Sequence, residues 1–438
     1  MNNKDILVMG KDCAYAMDEN HVNNNVLIVG GTGSGKTHYV LEPMLLHTEN
    51  SSVVVNINKR ILFDRYAPLF EQKGYKVLDL NLAHPEQSNI SFDFLPYLKS
   101  DKDIRDFAKN LVEAALGKID AQKDAYWTVA AGNLLAFLLR FTKDYWKNPD
   151  FRHVVYTMQK LSKALDVLFA DEEASTEEEK KSMEFLKTMD KYAADRCSMS
   201  ATNGYNTVRY NARNTSMCIL STLSSAIDAV FSEEILRLPA KAIPMLDIKC
   251  LGKEKTILFI TVPPLNQTTH VFSNVLFAQI FKTLFEFAED KCPDGELPVA
   301  VRLMFDDFAC GGIIPDFDKT ISIIRQKKIS ATMLLQDFSQ LNSMYSDKKA
   351  QTIANNCDSW VYMGGMDEAS VNKVSRLSNI PFEDIYYMPV NQVVVIRRGN
   401  PEAIVTSRYD IEQDSIYQNM LKLNERGASG LECVACAS

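Results

Sequence analysis

The segment Val26-Leu-Ile-Val-Gly30, followed by Gly31-Thr-Gly-Ser-Gly-Lys-Thr37, constrains this chain more than any other feature. An apolar run of that length closing on glycine reads as a buried strand, and the residues to about Leu46 read as a helix. Between them, Gly30-x4-Gly35-Lys36-Thr37 satisfies the phosphate-loop pattern. Glycines let the backbone fold tightly, so that successive N–H groups face phosphate oxygens, and the following helix adds its positive N-terminal end. On this reading Gly30, Gly31, Thr32, Gly33, Ser34, Gly35, Lys36 and Thr37 bind ATP. Lys36 bridges the β- and γ-phosphates, and Thr37 ligates Mg²⁺.

The flanking pattern extends the strand and helix into an α/β sheet. Ser52–Asn56 and Tyr75–Asp79 are β-rich runs separated by a helical stretch, Ile61–Lys73. Strands alternating with helices predict a parallel sheet. From Asp101 to about Leu238 the pattern is helical, with Leu134, Leu135, Leu138 and Leu139 at helical spacing. Strand-like runs return at Thr256–Val262, Val299–Phe305, Ile329–Leu335, Ser359–Met363 and Gln392–Ile396. The prediction is one α/β domain in two pieces, 1–98 and 251–425, with an all-α insertion at 99–250 and a tail at 426–438. Asp171–Lys181 reads as a charged connector between helices, and Trp127 and Trp146 read as core residues of the insertion.

The partner of a phosphate loop is an apolar strand ending in acid. Leu303-Met-Phe-Asp306-Asp307 fits, with Asp306 holding Mg²⁺ and Asp307 acting as general base on the attacking water. Composition narrows the setting. With 46% hydrophobic and 24% charged residues, the 438-residue chain is globular rather than disordered or fibrous. Its 48 basic against 56 acidic residues give −8, which argues against coating nucleic acid through overall positive charge. Nine cysteines are dispersed, as in a reducing compartment, and only Cys433 and Cys436 form a close pair. The most apolar stretch, Val271–Ala288, is interrupted by Asn274, Gln279, Lys282 and Glu286 and reads as a buried helix rather than a membrane span.

With these pieces in place the chain resembles the TraG/TraD-type coupling ATPases of type IV secretion and conjugation systems. Asp306-Asp-Phe-Ala309 is similar to that family's Asp-Glu-Phe-Ala. Ile314–Lys319, Ile324-Arg325, Gln336-x3-Gln340-Leu341, Asn356-Cys-Asp358 and Gly364 follow in the family's order. Ser91-Phe-Asp-Phe-Leu-Pro96 and Tyr126-Trp127 stand where the family has Asn-Pro and Phe-Trp elements. The resemblance implies a RecA-like P-loop motor with an all-α insertion, assembled as a hexameric ring at the cytoplasmic face of a membrane. Its implied partners are single-stranded DNA or a relaxase–DNA nucleoprotein, together with components of the secretion channel. It also implies that Arg325 reaches the nucleotide of a neighbouring subunit and that Gln336 senses the γ-phosphate.

Three departures qualify the resemblance. Where the family carries Asp-Pro-Lys-Gly-Glu, this chain has Ile57-Asn58-Lys59-Arg60-Ile61. The expected base is Asp307, one methylene shorter than glutamate. The family's leading transmembrane helices are missing, which implies a separate membrane subunit, a naturally soluble member or a truncated product. Two alternatives stay open: a nucleotide-gated substrate receptor with little turnover, and a DNA-pumping ATPase of the FtsK/HerA kind.

Overall fold

The computed structural model describes residues 4–17, 22–116, 125–170, 175–196, 199–240, 242–309 and 313–435, the last ten as backbone alone. Contacts divide the chain into two compact units. The first comprises residues 1–90, 247–265 and 280–438; the second comprises 91–246 and 266–279.

The first unit is built on a nine-stranded sheet. Its strands are β3 (Val26–Val29), β4 (Ser52–Ile57), β5 (Lys76–Asn81), β6 (Thr256–Thr261), β7 (Val301–Phe305), β8 (Ile329–Leu335), β9 (Ser359–Tyr362), β10 (Gln392–Arg397) and β11 (Ile404–Ser407). They lie in the order β11-β10-β9-β3-β8-β7-β4-β6-β5. The strands from β9 to β5 run parallel, and β10 and β11 are antiparallel to their neighbours. The central strands are buried along their whole length, which explains why their sequences are continuous apolar runs rather than alternating ones. The exposed edge strand β11 does alternate, and its weak signal escaped the sequence reading.

Two further strands, β1 (Ile6–Gly10) and β2 (Cys13–Ala16), pair antiparallel as a separate hairpin that the sequence reading did not foresee. Asp5 anchors its start to the residues that lead into β4, accepting from the backbone N–H groups of Asn50 and Ser51 at 2.8 and 2.9 Å. Arg302 is fully buried within β7 and donates to the Thr48 hydroxyl at 3.2 Å. Burial lowers its pKa, and the charge of Asp5 holds it up.

The second unit is helical. Its main helices are Asp101–Leu116, Ala125–Tyr145, Phe151–Phe169, Glu177–Ala194, Met199–Tyr210 and Arg213–Asp228. Ala125–Tyr145 is the central one and is buried almost all round from Ala130 to Thr142. Helix Met199–Tyr210 crosses it closely at Gly204. A β-carbon there would fall 2.2 Å from the Asn133 carbonyl, so no larger residue fits.

The Ser91–Pro96 motif works inside this unit. Phe92 and Phe94 pack edge-on against each other and against Phe272. Between them, Asp93 accepts backbone hydrogen bonds from Leu95 at 3.0 Å and from Phe151 at 3.1 Å. Its carboxylate therefore ties the motif to the first turn of helix Phe151–Phe169. Burial pushes the Asp93 pKa up to about 6 despite these bonds.

Two expectations change. Glu177–Lys181 is not a connector but the first helical turns, closed by a capping box between Thr176 and Glu179. Acidic residues there are favoured by the helix dipole. Residues 171–174 lie outside the described residues. Trp127 and Trp146 are half-buried rather than core. The Trp146 indole N–H donates to the buried Thr157 hydroxyl at 3.0 Å, and Lys160 sits over its ring. The Cys433 and Cys436 side chains lie outside the described residues.

Among the described residues one helix, Thr268–Lys291, is long and apolar enough to cross a membrane. Within the fold, 67% of its most apolar window is buried.

Candidate functional site

The loop after β3 lies at the carboxyl ends of the parallel strands, where ligands of such sheets bind. Its backbone is bonded to both neighbouring strands. Gly30 N–H donates to Leu335 at the end of β8 (3.1 Å), and Gly31 N–H donates to Gly364 just past β9 (2.9 Å). Gly33 and Gly35 take left-handed φ values of 77° and 79°, which close the loop. The helix that follows opens with a wide turn over Thr37–Leu41, where Glu42 N–H bonds back to Thr37 O, and continues as Glu42–Leu46. Such turns recur at functional sites.

Lys36 folds back over the loop, donating to the carbonyls of Gly30 at 2.6 Å and Gly31 at 3.2 Å. The Thr37 hydroxyl donates to the Asp306 carboxylate. Asp306 follows β7 and is tied to β4 through its N–H on Asn56 O, 3.2 Å. Gln336, just past β8, accepts from the Thr32 hydroxyl at 3.1 Å, and its own N–H is held by Gln340 at 2.9 Å. Loop, Asp306 and Gln336 thus form one site drawn from three adjacent strands.

The electrostatics of the site are those of a place built for a ligand. Burial lowers the Lys36 pKa, while the charges of Asp307 and Asp306 hold it up. Burial raises the Asp306 pKa; the Thr37 bond opposes this and the charge of Asp307 adds to it. The Ser34 hydroxyl is buried with no hydrogen-bond partner. A polyphosphate with its cation would relieve all three, because buried charges and polar groups need partners. Among the described residues no group of three or more His, Cys, Asp or Glu could hold a metal. A hydroxyl and one carboxylate suit Mg²⁺, which keeps waters and takes substrate phosphates as its other ligands.

Arg325 is elsewhere. It is exposed in the short turn Ile324–Lys327 before β8, at the opposite end of that strand from Gln336. The seven residues of β8 separate the two by roughly 20 Å. Arg325 therefore does not share a site with the loop of its own chain.

In the departing segment after β4, Lys59 is exposed, whereas Arg60 pairs with the fully buried Asp79 at 2.8 Å and stacks on Phe63. The segment is anchored by this pair, beyond the end of β4.

Sheet order, loop and the strand-end acid together define a RecA-like P-loop nucleoside triphosphatase fold, here accompanied by an all-α unit. The chain belongs to the family described as Type IV secretory system Conjugative DNA transfer, whose model matches residues 1–378. No curated protein sequence matches it. Among solved structures it is similar to the bacterial conjugative coupling protein TrwBdeltaN70 in complex with sulphate, at 15% identity and TM-score 0.62, over 88% of this chain and 85% of that chain. The plasmid coupling protein TrwB with the ATP analogue ADPNP matches at 13% identity and TM-score 0.62, over 88% and 84%. VirB4 of Thermoanaerobacter pseudethanolicus matches at 12% identity and TM-score 0.55, over 94% and 98%. At these identities the likeness is one of fold.

Proposed function

We propose that the chain is a coupling-type ATPase that passes DNA or nucleoprotein to a type IV secretion channel. The observation that carries the reading is the joined site of Gly30–Thr37, Asp306 and Gln336, in a member of the conjugative DNA transfer family. Lys36 leaves the loop carbonyls to meet the β- and γ-phosphates, which repair its burial. Thr37 and Asp306 would hold Mg²⁺, which when bound would offset charge on the phosphates. Asp307 orients and deprotonates the attacking water, and Gln336 reports the γ-phosphate through Thr32. Arg325 acts on the nucleotide of an adjoining subunit in a ring, because its own loop is a strand's length away. The first unit is the motor and the second is the inserted helical domain. A hexameric ring at the cytoplasmic face of a membrane is part of this reading.

ATP hydrolysis by the purified protein with single-stranded DNA tests this directly. Lys36→Ala should abolish turnover; equal rates in both proteins would overturn the enzymatic reading. A second reading, a nucleotide-gated receptor with little turnover, is favoured by the shorter reach of Asp307. Turnover that emerges only in Asp307→Glu would select it.

A further inference from the structure

A further cation, Arg408, lies beside the phosphate loop. Arg408 follows β11 and lies past residue 378, where the family match ends. Its backbone is fixed by an N–H bond to Asn391 O at 2.8 Å. Its guanidinium sits 5.1 Å over the Tyr39 ring and donates to Met363 O at 3.5 Å. One guanidinium nitrogen is 3.7 Å from the point that a β-carbon on Gly35 would occupy. Tyr39 itself fills the space above Gly35, since that β-carbon would fall 2.4 Å from the ring. Glycine at 35 therefore lets Tyr39 lie on the loop, and Tyr39 carries Arg408 to its rim.

Among the described residues no carboxylate pairs with this guanidinium, and its Nε is buried with no hydrogen-bond partner. Burial lowers its pKa, and only the neighbouring Tyr39 opposes this. A partly desolvated cation without a counter-charge is costly unless a ligand supplies one.

Strand order says which part of a ligand that would be. Asp306 and Gln336 stand on the β7–β8 side of the loop, so on the reading above they would hold Mg²⁺ and meet the γ-phosphate from that flank. Arg408 approaches from the β9–β11 side. A nucleotide whose terminal phosphate lies toward β7 and β8 turns its α-phosphate and nucleoside toward Arg408.

We propose that Arg408 is a nucleotide-binding residue of its own subunit's site, pairing with the α-phosphate end of a nucleoside di- or triphosphate. This rests on the reading of Gly30–Thr37 as a nucleotide loop. The planar guanidinium fork, held on an aromatic face, is suited to phosphate oxygens in a way that a lysine is not.

The test is titration of the full chain with fluorescent MgADP and with a non-hydrolysable Mg·ATP analogue. Wild type, Lys36→Ala, Arg408→Gln and Arg408→Lys are compared, with melting of each nucleotide-free protein alongside. Arg408→Gln should weaken both nucleotides by the same factor, about 10- to 100-fold for a lost charge-assisted pair. Arg408→Lys should recover part of the loss, with nucleotide-free melting unchanged in both. Binding that needs Lys36 but not Arg408 overturns the proposal alone. So does a loss confined to the ATP analogue, or one that tracks a lowered melting temperature in both Arg408 variants. Absence of binding in wild type and Lys36→Ala alike would overturn the reading of the loop, and Arg408 with it.

Discussion

Thr37 and Asp306, 269 positions apart in the chain, share a hydrogen bond at the carboxyl edge of the sheet. The bond joins the phosphate loop to the strand-end acid, and these are the two side chains that would hold a Mg²⁺ ion. Burial raises the Asp306 pKa above the usual carboxylate value. Mg²⁺ needs the ionised form, so the Mg²⁺-dependent part of ADP affinity should strengthen as pH rises through that raised pKa. Asp306→Asn keeps an acceptor for Thr37 but no charge. It should remove most of the Mg²⁺ dependence and its pH slope, and in EDTA it should bind ADP at least as tightly as wild type, because a negative charge beside the phosphates is gone. Calorimetric titration of ADP with and without Mg²⁺ across pH measures this.

The two left-handed glycines of the loop should differ in their tolerance of a methyl group. A β-carbon on Gly33 meets nothing within 4 Å, so Gly33→Ala carries only the left-handed penalty, about 1–2 kcal/mol. A β-carbon on Gly35 falls 2.4 Å from the Tyr39 ring. The ring must move, and with it the loop. ADP affinity should fall at least about tenfold further in Gly35→Ala than in Gly33→Ala, since each 1.4 kcal/mol is tenfold. Equal affinities would contradict the packing described.

Asp93 gives the helical unit a pH dependence of predictable sign. Its pKa is about 6 in the fold against 3.8 for the free side chain. Between those values the native state holds more protons than the unfolded one. Stability contributed by this group is therefore full below pH 3.8 and is lost as pH rises through about 6. Two units correspond to roughly 3 kcal/mol at most. Asp93→Asn should gain on wild type in urea midpoint from pH 4 to pH 7. Parallel pH curves would contradict the assignment.

The parts of the molecule that were legible from sequence carry dense local signals. Buried parallel strands such as β3 and β8 read plainly because both faces are apolar. The phosphate loop reads because glycine spacing is dictated by backbone geometry. What escaped has signals that are short or relational. The β1–β2 hairpin and the edge strand β11 are four or five residues each. The run Glu177-Glu-Glu-Lys-Lys181 looks like a connector until Thr176 and Glu179 are seen to cap a helix. Arg408 belongs to no motif. It is placed beside Gly35 by the pairing of β10 with β11 and by the ring of Tyr39, neither of which one arginine in a sequence announces.

Arg325 and Gln336 sit at opposite ends of β8, so a ring in which Arg325 serves a neighbour's nucleotide is the central claim. Mixing two defective variants tests it most directly. Lys36→Ala lacks the loop lysine but keeps its arginine; Arg325→Ala keeps the loop but not the arginine. Each alone should hydrolyse ATP at under about a hundredth of the wild-type rate with single-stranded DNA, in line with losses of 10³ or more for such groups. An equimolar mixture should regain measurable turnover, because some interfaces then pair an intact loop with an intact arginine. A mixture as inactive as its components, beside an active wild type, would contradict it.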